Sequence, residues 1–129
     1  MGLIQNYMAN EISLSVSLTA SKGGAAVSIN GAKTLDMAGT DMTSETQTFG
    51  ITEQPIPLGD AAQGGLVVIK NLSTTESIRF GLTGFTYAAA VWGVGPGETI
   101  MVRTNSGSAA IFGIASANST LAQCVVLAP

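Results

Sequence analysis

The sequence predicts an all-β protein, an antiparallel β-sandwich of about eight strands that is either jelly-roll-like or immunoglobulin-like. Three observations support this class. Apolar and polar residues alternate with a period of two over much of the chain. The alternating segments have the length of ordinary strands. Gly, Pro, Asn and Ser separate them at the spacing expected of a sandwich, so we expect antiparallel sheets with at most a short helix.

The first strand is predicted at Ile12–Leu18. Its apolar residues share one face and its hydroxyl residues share the other, which is the pattern of a half-buried strand. The Ser-Lys-Gly-Gly segment at 21–24 would then turn the chain into a second strand at 25–29. Asn30-Gly31 is the strongest two-residue hairpin signal in the sequence. We therefore expect a hairpin near the N-terminus.

The middle of the chain is less regular. Residues 33–48 are rich in Thr, Ser and acidic residues, and they form either an edge strand or a long loop. A further strand is predicted at 47–51. Pro55 and Pro57 follow, and because proline has no N–H to donate, they predict an extended connector rather than a central strand.

The second half contains five predicted strands separated by turn residues. They are LVVIKN (66–71), SIRFGLT (77–83), ETIMVRT (98–104), AAIFGIA (109–115) and AQCVVLA (122–128). Between them, the segment from Tyr87 to Trp92 has the composition of a short helical turn. Pro96-Gly97 predicts a type II turn, which requires a positive φ at the glycine.

The length of 129 residues suits one domain. We assign residues 11–129 to a single β-sandwich domain and residues 1–10 to an N-terminal arm. The arm precedes the first clear strand, and we expect it to reach a neighbouring subunit or the surface of a larger assembly. Its apolar residues are Leu3, Ile4, Tyr7 and Met8.

Charged residues make up only 10% of the chain, against about 25% in ordinary soluble domains. Mean hydropathy is +0.40. This shortage of ionic cover predicts a homo-oligomer or a lattice-bound subunit, although Ser, Thr, Asn and Gly could instead solvate the surface. The net charge is −3 and the five basic residues are scattered, which argues against nucleic acid and against an anionic membrane as partners.

The absence of histidine from the sequence excludes a Ser-His-Asp relay and removes the commonest metal ligand. We therefore predict that the protein is not an enzyme and has no cofactor. The spacing of Asp36, Asp41 and Glu45 does not match a calcium-binding loop, so we interpret them as a solvated acidic loop and predict no metal. Cys124, the single cysteine, excludes an internal disulfide and is predicted to pack as a small hydrophobic residue.

Two large aromatic residues, Phe85 and Trp92, lie near each other in a Gly-rich connection. Large aromatics serve equally as interface anchors and as core residues, and the sequence leaves both roles open. Together with the apolar residues of the arm, they form the predicted interface set.

Three segments of the second half carry a resemblance to a known group of proteins. They are PIPLGDAAQGGLVVIKNLSTTESIRFGLTG (55–84), GVGPGETIMVR (93–103) and SAAIFGIASANSTLAQCVVL (108–127). They resemble small virion proteins of tailed bacteriophages. Those proteins share Leu-Gly followed by a Gly-hydrophobic run and Lys-Asn-Leu, then a Pro-Gly-Glu turn and a final pair of Ala-rich strands. The resemblance begins at Pro55 and does not extend to the N-terminal part.

The resemblance implies a structural component of the particle, either a capsid decoration (cement) protein or a small neck or tail component. The implied partners are other copies of the chain and the capsid or other virion proteins. The implied location is the virion, after synthesis in the host cytoplasm, since the start of the sequence lacks the features of a signal peptide. The alternative is a non-catalytic carbohydrate- or ligand-binding β-module, which needs a pocket with convergent aromatic and polar groups.

Overall fold

The computed structural model describes most of the chain and shows an all-β protein. Every strand pairing in the described residues is antiparallel, which confirms the predicted fold class. One 3-10 turn at Tyr87–Ala89 is the only helical segment among them, at the site of the predicted helical turn. The described residues are 11–36, 42–56, 65–81, 86–90, 92–103 and 111–127.

Ten strands are present in the described residues. They are β1 Ile12–Lys22, β2 Ala25–Leu35, β3 Met42–Phe49, β4 Gln54–Pro55, β5 Leu66–Asn71, β6 Ile78–Gly81, β7 Trp92–Val94, β8 Thr99–Arg103, β9 Phe112–Ala115 and β10 Thr120–Leu127. The bounds of β5 are those predicted, whereas β3 begins earlier than the predicted strand at 47–51. Pro55 lies in a two-residue edge strand rather than in a connector, and β7 was not predicted.

The chain divides into two units between residues 39 and 40. The first unit contains the hairpin formed by β1 and β2, and the second contains β3 to β10. Both were predicted to belong to one sandwich domain over 11–129; among the described strands, the hairpin pairs only with itself and forms a separate sheet. The predicted arm at 1–10 lies outside the described residues.

The hairpin turns at Gly23-Gly24, within the predicted turn segment. The φ angles of these glycines are +58° and +86°. Two consecutive positive φ values in a two-residue loop suit the right-handed twist of the flanking strands, and glycine adopts them without steric cost. Asn30-Gly31 is not a turn: both residues lie in β2, where Asn30 pairs with Ser17 and Gly31 with Val16. Turning at 23–24 instead lets eleven residue pairs form.

The second unit is a sandwich of two four-stranded sheets. The strand orders are β3-β10-β5-β8 and β4-β9-β6-β7. Within these sheets the first strand of the unit pairs with the last, the second with the seventh, the third with the sixth, and the fourth with the fifth. This nested pairing is that of a jelly roll, in which one long antiparallel hairpin is folded over into two sheets. Of the two predicted topologies, the strand order is that of the jelly roll.

A single core lies between the two sheets. In β10 the residues with even numbers are buried, so the alternation predicted for this strand places them against the core. The buried core residues are Phe49, Ile56, Val67, Ile69, Ile78, Phe80, Val94, Ile111, Ala115, Ala122, Cys124 and Val126. Because both sheets contribute, burial of these side chains holds the two layers together.

Asn71, the last residue of β5, is fully buried and organises the loops at its end of the sandwich. Its Nδ2 donates to the carbonyl oxygens of Glu76 at 2.7 Å, Val94 at 3.1 Å and Gly95 at 3.1 Å. Its Oδ1 accepts from the Ser73 N–H at 2.9 Å. One side chain therefore satisfies backbone groups of two loops that are distant in sequence.

The turn that follows Val94 is the predicted one. The N–H of Glu98 donates to the carbonyl oxygen of Gly95 at 3.0 Å, and Gly97 has a φ of +73°. A positive φ at the third position of a four-residue turn, after proline at the second, identifies a type II turn. The prediction at Pro96-Gly97 is confirmed.

Candidate interaction surfaces

Of the six predicted interface residues, one lies among the described residues. Trp92 begins β7, an edge strand, and is 46% exposed. Its exposure places it at the surface rather than in the core. The other five, for which the interface role stays a prediction, lie outside the described residues: Leu3, Ile4, Tyr7, Met8 and Phe85.

In the same sheet, a basic side chain of β6 stacks on an aromatic ring. Arg79 pairs across the strands with Gly93, and its guanidinium carbon lies 4.1 Å from the centroid of the Tyr87 ring. Its Nη1 also donates to the carbonyl oxygen of Tyr87 at 3.0 Å. These two contacts fix the only 3-10 turn among the described residues against β6. Trp92 pairs with Phe80, so it lies on the opposite face of the sheet from Arg79.

A second surface is the outer face of the sheet β3-β10-β5-β8. Residues directly opposite each other across antiparallel strands share a face, so the residues that alternate with the buried ones point outward. Met42, Met101 and Leu121 on this face are 62%, 40% and 45% exposed. Among the described residues of this face, Lys70 and Arg103 are the only charged ones. The face is therefore largely uncharged and partly apolar, and Leu66 on it is buried.

The third surface is one side of the hairpin, called here the hairpin apolar face. The strand register places Leu18 opposite Ile29, Ala20 opposite Val27, and Val16 opposite Gly31. Val16, Leu18, Val27 and Ile29 are 53%, 51%, 60% and 62% exposed. The residues of this face are Ile12, Leu14, Val16, Leu18, Ala20, Lys22, Ala25, Val27, Ile29, Gly31, Lys33 and Leu35.

This exposure corrects the predicted half-buried strand. Ile12 is buried and Leu14 is half-buried, but every residue from Ser15 to Thr34 is exposed. The alternation correctly assigned which side chains of β1 share a face. It carries no information on whether another layer covers that face, and between Ser15 and Thr34 the side chains on it are exposed.

Val27 and Ile29 were missed as candidate interface residues. A signal for them was present, because residues 25–29 alternate in phase with β1 once the turn is placed at Gly23-Gly24. Asn30-Gly31, the strongest local hairpin signal, does not indicate this phase. The opposite side of the hairpin is polar, and on it Ser17 Oγ donates to Asn30 Oδ1 at 2.9 Å.

The groups considered for chemistry are placed as follows. Cys124 is buried in β10, as predicted, and burial, followed by the charge of Glu45, raises the pKa of its thiol to about 11. Asp41 lies outside the described residues, and Asp36 and Glu45 belong to different units. In the described ranges, no three acidic, cysteine or histidine side chains are grouped as metal ligands.

A shallow, open depression at the hairpin tip is lined by Thr19, Ala20, Ser21, Ala26, Val27 and Ser28, none of them ionisable.

No family model matches the chain, and no curated protein and no solved structure matches it either. Within the part of the chain that the structure describes, no helix has the length and apolarity required to cross a lipid bilayer. The described surfaces offer apolar area with few charges on two sheet faces. Apolar area of this kind gains free energy when a partner removes it from water.

Proposed function

We propose that the protein is a structural component of a bacteriophage virion, most simply a capsid decoration (cement) protein that stabilises the particle through subunit contacts. The observation that carries this proposal is the number of large apolar side chains left exposed on a chain with few charges. Among the described residues, ten such side chains are between 40% and 62% exposed: Val16, Leu18, Val27, Ile29, Met42, Ile51, Leu72, Trp92, Met101 and Leu121.

The fold and the resemblance support the same role. Jelly rolls occur in viral capsid proteins and in lectins, so the fold alone is compatible with both the structural and the ligand-binding hypothesis. The segments that resemble small virion proteins of tailed bacteriophages contain five sandwich strands and the type II turn at Pro96-Gly97. The resemblance therefore rests on the jelly-roll unit and not on the hairpin.

The outer face of β3-β10-β5-β8 is the proposed contact with the particle. It belongs to the jelly-roll unit that carries the resemblance, and its Met side chains adapt to an irregular neighbour. A carbohydrate-binding role would need several convergent aromatic side chains. In the described residues, Trp92 is exposed, but Phe49 and Phe80 are core residues, Phe112 is half-buried and Tyr87 is stacked against Arg79. The described geometry supports assembly better.

Two measurements on particles from the native source test the role. Mass spectrometry of purified virions should detect the chain in a fixed ratio to the capsid protein. Immunogold labelling in negative stain should place it over the capsid. Label confined to one vertex or to the tail would identify a neck or tail component instead, and absence of the chain from purified virions would refute the proposal.

A binding assay tests the surface. The purified protein should co-sediment with particles that lack it, and the double variant Met101→Glu/Leu121→Glu should not, because charge on the outer face opposes burial. Thr52→Glu, which adds one charge at an exposed loop position, is the control and should co-sediment normally. Equal binding of the double variant and the control would exclude this face as the contact.

A further inference from the structure

We propose that the hairpin apolar face is a self-association surface, on which a second copy of this chain packs its own hairpin face to face. This inference goes beyond the virion role, because it concerns the purified protein alone. It also assigns self-association to residues other than those predicted from the sequence.

The first argument is that the hairpin is incomplete as a layer. A two-stranded sheet with nothing packed on it is marginal in water, and sheets become stable when a third strand or a second layer covers the apolar side. Here twenty consecutive residues, from Ser15 to Thr34, are exposed. Four of them are large aliphatic residues more than half exposed on one side. A second layer over this side removes that exposure.

The second argument is the apolar area that the hairpin itself exposes. Val16, Leu18, Val27 and Ile29 are between 51% and 62% exposed, and they lie together on one side of the hairpin. Removing these side chains from water is a favourable term for a contact between two copies.

The third argument identifies the occupant as a second copy. The hairpin apolar face carries no acidic residue, and its three central cross-strand pairs, which contain Val16, Leu18 and Ile29, carry no charge at all. A charged partner surface would lose its hydration against these rows without gaining an ion pair. An identical apolar face has the same length and the same lack of charge, so one symmetric contact covers both copies at once.

The lysines of the face do not prevent this contact. Lys22 lies in the pair next to the turn, and Lys33 lies opposite Leu14, so they flank the uncharged rows on either side. A lysine at such a margin extends its ammonium group to water while its methylene stem covers apolar surface. Each strand has eleven residues, so the contact would be about 36 Å long and one hairpin wide, with the sheets about 10 Å apart.

The test compares two lysine substitutions at adjacent positions of β2. Ile29 lies on the hairpin apolar face and Ser28 on the opposite, polar face, and both are exposed. We expect wild type and Ser28→Lys to self-associate in sedimentation equilibrium, and Ile29→Lys to dissociate with a Kd raised at least about 100-fold. A wild-type protein that is monomeric at high micromolar concentration, or equal association of both variants, would overturn the proposal.

A cross-linking experiment keeps the test valid if Ile29→Lys fails to fold. In a Cys124→Ala background, Leu18→Cys places a thiol on the apolar face and Thr19→Cys places one on the polar face. A short bismaleimide should give a covalent dimer with Leu18→Cys only. Equal cross-linking of the two variants would contradict the proposal. Flotation of the wild type, but not of Ile29→Lys, with phosphatidylcholine vesicles would also contradict the proposal, because the occupant of the face would then be lipid.

Discussion

The ring of Phe49 meets the ring of Phe80 edge to face, with centroids 5.9 Å apart and an interplanar angle of 87°. Phe49 ends β3 in one sheet and Phe80 lies in β6 of the other, so this contact joins the two layers at the centre of the core. Gly113 of β9 lies directly opposite Phe80. A Cβ at Gly113 would lie 2.5 Å from Phe49 Cε1 and 3.0 Å from Phe80 Cε1, so the aromatic pair occupies the space of a side chain there.

Gly113→Ala should destabilise the sandwich by about 2 kcal/mol, because the added methyl group forces the two rings apart in a packed core. Chemical denaturation measures this loss. Gly93→Ala is the matched control, since it also lies in a strand of this sheet and its Cβ would meet its nearest neighbour, Arg79 Cγ, at an ordinary 3.6 Å. If both variants unfold at the same denaturant concentration, the core at Gly113 is looser than the structure indicates.

Gly97→Val should destabilise the protein by about 1–3 kcal/mol. A Cβ at Gly97 would meet nothing within 4 Å, so the loss comes from backbone strain at a φ of +73° and not from a clash. Gly97→Asn separates these causes, because asparagine adopts positive φ more readily than valine does. The expected order of thermal midpoints is wild type, then Asn, then Val. An unchanged midpoint for the valine variant would show that the turn adapts.

Asn71→Ala should be among the more damaging single substitutions, with a loss of about 3 kcal/mol. It removes the donor group that serves three carbonyl oxygens and leaves buried acceptors without a partner. Asn118→Ala is the control, because Asn118 is exposed and its Oδ1 accepts one bond, from the Ile51 N–H at 3.1 Å. Denaturant titration of the two variants should give a clearly larger loss for Asn71. Similar losses would mean that water replaces the buried amide.

The strands of the second half could be predicted because local signals there agree with tertiary structure. In β5 the apolar run and the turn residues that flank it predicted both ends of the strand. In β10 the apolar run predicted the strand, which begins two residues earlier than expected, at Thr120. Pro96-Gly97 fixes the turn chemistry. Strand β7 was missed because it has three residues, two of them next to glycines, and its pairing with β6 is set by the fold and not by local pattern. The role of Asn71 is also non-local, since its partners lie up to 24 residues away.

The candidate surfaces show a different limit of sequence reasoning. Alternation predicted that Val16 and Leu18 share a face, and the register confirms it. Whether such a face is covered depends on what packs against it, which a period of two does not encode. Asn30-Gly31 misled for a related reason. The chain turns at Gly23-Gly24 and not at this strong local signal, because a turn there allows eleven residue pairs to form between the two strands.

The titration of Cys124 gives a prediction on pH. Burial, followed by the charge of Glu45, raises the pKa of this thiol from 9.0 to about 11 in the folded protein. Between these values the unfolded chain releases the thiol proton while the folded protein retains it. Stability from this group is therefore complete below pH 9 and is lost as the pH rises through 11. Two pKa units correspond to a loss of about 2–3 kcal/mol.

Cys124→Ala isolates this contribution, because every other titratable group is present in both proteins. Alanine loses the packing of the sulfur, which lowers the free energy of unfolding by an amount that does not depend on pH. The difference in unfolding free energy between wild type and variant should be constant from pH 7 to pH 8.5 and should shrink by about 2 kcal/mol by pH 11. Urea denaturation at each pH measures it. Parallel pH profiles would show that the thiol ionises as readily in the fold as in the unfolded chain.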